Sequence, residues 1–330
     1  MPPRSCLSAR RSVKPAGRTS LLAVGAVLVS ILGAGVANGA AASARPDKAA
    51  AHSTSALVTA VGAENEYANV MSQIGGKYVS VSSILNNPTT DPHTFESSPS
   101  VAREVSAAEL VVQNGVGYDT FMSKIESASP SPKRKVIVVQ SLLGLPDRTA
   151  NPHLWYDPTT MPRVALAIAA ALASLVPSRA GYFSANLKTF DNALKPAENA
   201  IANFKAKYSG TAAATTEPVA DYLLTAMGID NLTPFGFQAD IMNGVDPSPQ
   251  DISLETSFFT AHKVKVFCYN EQVVDALTTS IRETAVKSGI PVVGVYETMP
   301  TPGYKFQTWM LAEVQAIQKA VLHKASTERL

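Results

Sequence analysis

Residues Ala180–Tyr208 read AGYFSANLKTFDNALKPAENAIANFKAKY. Within them Phe183, Leu187, Phe190, Leu194, Ala197, Ile201 and Phe204 recur at three- and four-residue spacing, one apolar stripe along a helix, with a single proline at Pro196. At 1.5 Å per residue such a helix spans roughly 40 Å, longer than one small domain requires, so it reads as a spacer between two lobes.

Both flanks alternate strand with helix. Upstream, strands are expected over 56–61, 79–85, 110–112 and 135–140, with helices over 66–74, 100–110 and 161–175. Downstream, the expected strands are 211–216, 232–233, 264–269 and 291–295. The helices there are 219–227, 249–260, 274–287 and 306–322, and 235–248 reads as a Gly/Asn/Asp/Pro-rich loop. Alternation of this kind indicates parallel βαβ units. The expected fold class is therefore α/β: two lobes, each with a mostly parallel sheet flanked by helices, joined by one long rigid helix. The lobes are placed at 55–178 and 209–330, with the linking helix at 179–208.

The first 45 residues are of different composition. They carry Arg4, Arg10, Arg11, Lys14, Arg18 and Arg45, no acidic residue, and an apolar run from Leu21 to about Ala37 that ends in Ala42-Ser43-Ala44. That pattern is a secretory signal, assigned to 1–44, with 45–54 as a flexible tether; a retained anchor is the competing reading. The expected destination is the periplasm or cell surface. Leu32-Gly33 is followed by Ala34, so no lipoprotein cysteine is expected. Without the first 45 residues, six of the 28 basic residues are gone and none of the 26 acidic ones, so the balance turns acidic and nucleic acid is not expected as a partner. Cys268 then stands alone in an apolar strand and reads as a buried, inert thiol.

Of five histidines, two recur in near-copies of one context: Asp91-Pro92-His93-Thr94-Phe95 and Asn151-Pro152-His153-Leu154-Trp155. Proline fixes its own φ and keeps the preceding residue out of the helical region, which holds an imidazole at a set angle, as a metal site needs. His52, His262 and His323 have no such setting.

The first phrase, with Ala107-Ala108-Glu109-Leu110-Val111-Val112-Gln113-Asn114-Gly115, resembles the first-ligand region of the zinc- and manganese-binding solute-binding proteins of ABC importers. The second, with Asp157-Pro158, is similar to that family's second-ligand loop, and the resemblance runs from about Leu57 to His323. It implies one divalent transition metal ion, Mn²⁺ or Zn²⁺ with Fe²⁺ as a third candidate, bound between the lobes. It implies four ligands: His93, His153, Glu217 after the first strand of the second lobe, and Glu297 after the last. Zinc members commonly have histidine where Glu217 stands, and many members have aspartate where Glu297 stands. The implied role is non-enzymatic: a monomer that captures the ion outside the cytoplasm and hands it to an ABC permease with its ATPase. The alternatives are a secreted metallo-hydrolase on the same histidines, for which no H-E-x-x-H motif is present, and a surface adhesin. Two imidazoles and two carboxylates suit a borderline divalent metal.

Overall fold

The computed structural model describes residues 57–89, 91–300 and 302–330. The segments expected as leader and tether, with Cys6 and His52, lie outside the described residues.

The chain opens with β1 (Val58–Glu64), α1 (Asn65–Gly75), β2 (Val79–Leu85), α2 (Pro99–Ala107), β3 (Leu110–Gln113), α3 (Thr120–Ala128), β4 (Lys135–Val138), α4 (Val139–Leu143) and α5 (Thr160–Leu175). The spacer helix, α6, runs unbroken from Ala180 to Tyr208. After it come β5 (Thr211–Thr215), α7 (Asp221–Met227), β6 (Ile229–Asn231), α8 (Phe235–Met242), α9 (Pro249–Thr260), β7 (Val266–Asn270), α10 (Ala276–Lys287), β8 (Val292–Val295) and α11 (Phe306–His323). The two sheets share one wiring: β2-β1-β3-β4 and β6-β5-β7-β8, every pair parallel. In each, the chain steps to one side of its first strand and then to the other. The order therefore reverses between β1 and β3, and between β5 and β7, where a crevice opens at the strand C-termini. The fold class matches the expectation.

Strands β3, β7 and β8 are buried at every residue, as strands covered on both faces must be. Helix α6 buries Phe183, Phe190, Leu194, Ala197, Ile201 and Phe204, and packs on α1 and α5 on one side and on α7 and α11 on the other. One apolar core consequently runs from Val58 and Leu110 through Trp155, Phe190 and Phe204 to Val266, Val293 and Trp309. Cys268 sits fully buried in β7, and burial pushes its thiol well above the ordinary value.

Some local expectations need correction. The strand expected at 232–233 lies earlier, at Ile229–Asn231, because Gly228 ends α7 in a left-handed conformation (φ 71°) and the chain enters the sheet at once. The first part of the loop expected at 235–248 is a helix, α8, and only 243–248 is loop; Pro234 and Gly236 hide a pattern in which Phe237 and Ile241 share the buried face. Helix α3 was not anticipated, and β4 gives way to α4 at Val139. Among the described residues no helix is long and apolar enough to cross a membrane.

Candidate metal centre

The two Pro-His phrases form the same local structure. The side-chain Oδ1 of Asp91 accepts the backbone N–H of His93 at 2.8 Å, and Oδ1 of Asn151 accepts that of His153 at 3.0 Å. Each is an Asx turn closed across a proline, which is why the spacing repeats. His93 belongs to a 3₁₀ turn, Pro92–Thr94, and keeps 22 % of its side chain exposed; the imidazole of His153 is fully buried, with Trp155 edge-on at 5.5 Å.

Asn151 does more for the second histidine. Its Nδ2 donates to the carbonyl of Pro218 at 2.7 Å, so its Oδ1 can only accept, and that oxygen lies 2.8 Å from Nδ1 of His153. His153 therefore carries a proton on Nδ1, and in the neutral ring Nε2 is a bare lone pair. Burial, only partly opposed by Glu297, holds His153 below its usual pKa and favours that neutral ring.

That lone pair points at Oε2 of Glu297, 3.2 Å away, and Nε2 of His93 approaches the same oxygen at 3.0 Å. Tyr118 donates its hydroxyl to it as well, at 3.0 Å. Donor atoms of His93, His153 and Glu297 all lie within 4.8 Å of one another. Glu297 is fixed from behind: Oε1 of Gln272 accepts the backbone N–H groups of Glu297 and Thr298 at 2.7 and 2.8 Å. Burial alone would raise its carboxyl, but a proton held between it and the rings of His153 and His93 keeps it well below the ordinary carboxylate range. His93 is lowered by burial and raised more by its contact with Glu297 and the charges of Glu297 and Asp91, for a net upward shift.

Glu217 stands one amide away. Nδ2 of Asn270, at the end of β7, donates to Oε1 of Glu217 at 3.1 Å and to Oε1 of Glu297 at 2.8 Å. The other oxygen of Glu217 is buried without a partner. Burial and the facing Glu297 push its carboxyl well above the usual range, as expected where two carboxylates share one site. Three of the four sequence-derived residues thus converge directly, and Glu217 borders them through Asn270. Sequence reading did not pick out Asn151, Asn270, Gln272 or Tyr118. The Asx position before Pro-His was the available signal for Asn151; the other three come from distant segments and leave no local trace.

His93 also lines a cavity of about 370 Å³ with Val116, Gly117, Tyr118, Phe235 and Met242, so it is the side of the centre that meets the groove between the lobes.

Two like-wired parallel sheets on one long helix, with two imidazoles and a carboxylate converging between them, define a class of two-lobed metal-binding proteins. Residues 44–320 match the family described as zinc-uptake complex component A, periplasmic, and the chain belongs to that family. A protein of Thermotoga maritima named for metal binding is 34 % identical over 97 residues, 28 % of this chain and 33 % of that one. The high-affinity zinc uptake system protein ZnuA of Haemophilus ducreyi is 23 % identical over 247 residues, 64 % of this chain and 77 % of its own length. The fold is shared with the periplasmic zinc-binding protein TroA of Treponema pallidum, at a TM-score of 0.67 and 18 % identity over 82 % of this chain and 99 % of that one.

Proposed function

We propose that this chain is an extracytoplasmic solute-binding protein that captures one divalent transition metal ion, Mn²⁺ or Zn²⁺, and delivers it as a monomer to an ABC permease and its ATPase. His93, His153 and Glu297 are the primary ligands, and Glu217 completes the set once the ion draws its free oxygen inward. The observation that carries the reading is the approach of the His153 Nε2 lone pair to Oε2 of Glu297 at 3.2 Å. Two electron-rich atoms at that distance repel unless a cation, a proton or a metal, lies between them. The buried, unpartnered oxygen of Glu217 asks for the same thing. Four protein ligands would leave no position for an activated water, which favours binding over hydrolysis. Both glutamates are hard donors and suit Mn²⁺, yet Zn²⁺ binds most such N/O sites more tightly.

Metal-stripped protein is expected to take up one ion per chain. His93→Ala combined with His153→Ala should abolish uptake, and unchanged metal content in the double variant would refute the assignment. Competition among Mn²⁺, Fe²⁺ and Zn²⁺ on the same preparation ranks the cargo.

A further inference from the structure

A second polar cluster lies where the two ligand-bearing loops meet. Tyr156 ends the 3₁₀ turn Leu154–Tyr156, three residues after His153, and is 1 % exposed. Its hydroxyl donates to the backbone carbonyl of Tyr296 at 2.9 Å and accepts the backbone N–H of the same residue at 3.3 Å. Tyr296 immediately precedes Glu297, so one phenol oxygen ties the backbone beside one proposed ligand to the turn that carries another. Glu313, fully buried on α11, brings Oε1 to 3.2 Å from this hydroxyl and to 3.1 Å from Nε1 of Trp309.

Counting protons decides the state of Glu313. A phenol has one proton and two lone pairs. If the proton goes to the carbonyl of Tyr296, the shorter contact, one lone pair serves the Tyr296 N–H. The approach of Glu313 is then a hydrogen bond only if Glu313 brings a proton of its own. A neutral acid meets that requirement and leaves only its uncharged Oε2 without a partner. An ionised one would leave a charged oxygen bare in the core. It would also draw the phenol proton away from Tyr296. The groups facing this point are Trp309 on the same helix, Cys268 of β7, Tyr296 after β8 and Tyr156 itself, with Glu66 of α1 acting on Tyr156. None of them is cationic.

We propose that Glu313 is a positioning residue for the metal centre: as a neutral acid it donates to Tyr156, which frees the Tyr156 proton to fasten the Tyr296–Glu297 backbone to the His153 turn. The inference rests on the solute-binding reading above. Burial pushes the Glu313 carboxyl up to about 8, which agrees with the proton count.

The test compares wild type, Glu313→Gln, Glu313→Leu and Tyr156→Phe for Zn²⁺ affinity in chelator-buffered solution at pH 7 and pH 9. Gln keeps a donor at every pH, so it should match wild type at pH 7 and bind about tenfold more tightly than wild type at pH 9. Tyr156→Phe should be about tenfold weaker than wild type at pH 7 and show no Glu313-dependent change. A Glu313→Leu variant that fails to fold leaves the comparison with Gln intact. In the metal-free protein, indole emission should titrate near pH 8 in wild type, through the Trp309–Glu313 bond, and not in Glu313→Gln. Metal uptake with a pH-independent ratio of wild type to Glu313→Gln overturns the positioning role alone. A wild type that takes up no metal overturns the solute-binding reading and the positioning role together, even if the emission titration is present.

Discussion

Asn151 performs three tasks with one amide: it closes the turn before His153, fixes the proton on Nδ1 of that ring, and reaches across to Pro218 beside Glu217. A residue that orients a ligand in this way usually sets metal affinity within one to two orders of magnitude. Asn151→Ala is therefore expected to weaken binding about 10- to 100-fold while one ion per chain is still bound at saturation, as a competition titration would read. Loss no larger than twofold would show that packing against Trp155 suffices to aim the ring. His93 and His153 were legible in the sequence because an Asx-Pro-His turn is complete within three residues. Asn270 was not. Its role depends on β7 lying beside β5, so that its amide falls between Glu217 and Glu297, and no window of local sequence contains that fact.

At the scale of elements, α6 shows how much of the fold a single periodic stretch can carry. It spans Ala180–Tyr208, a few residues beyond each end of the apolar stripe, and it continues through Pro196, which costs an interior helix about 3 kcal/mol in isolation. Tertiary contact must supply the difference, and the buried aromatic residues are where it comes from. Phe190 is 2 % exposed in the core shared by both lobes. Phe190→Ala should cost about 3 to 5 kcal/mol in chemical denaturation. The loss should fall on one cooperative transition, and two separated transitions would show that the lobes are stabilised independently. The misread elements were short ones. β6 has three residues and α8 eight, so neither offers enough repeats for periodicity to outvote a glycine or a proline.

Across the whole molecule, the interior holds many acids with raised pKa values. Burial is the largest cause for Glu64, Glu66, Glu217, Glu255 and Glu313, and the last two reach about 8. For such a group the folded pKa exceeds the unfolded one, so its contribution to stability is fully present below about pH 4.5 and is lost progressively as pH rises to the folded value. Glu297 runs the other way, its folded pKa being depressed; its contribution is present above the unfolded pKa and fades as pH falls. Metal-free protein should accordingly lose stability between about pH 5 and 8. Glu255, whose two oxygens are buried without partners, isolates the effect away from the metal centre. Glu255→Gln should raise the melting temperature at pH 8.5 and leave it nearly unchanged at pH 5, with a ceiling of about 5 kcal/mol. An equal gain at both values would mean that the carboxyl is not titrating in this range.

The continuous apolar core has a thermodynamic corollary. A binding protein whose lobes swing together hides fresh hydrocarbon from water when it closes, and that burial registers as a negative heat-capacity change. Here the hydrocarbon linking the two halves, from Val58 to Trp309, forms one continuous core packed around α6, apart from the polar centre. Isothermal titrations of the metal at several temperatures should therefore give an enthalpy that barely slopes, because capture exchanges solvent and protons at a few polar atoms. A steep slope would reveal a closure that the packing of α6 does not anticipate.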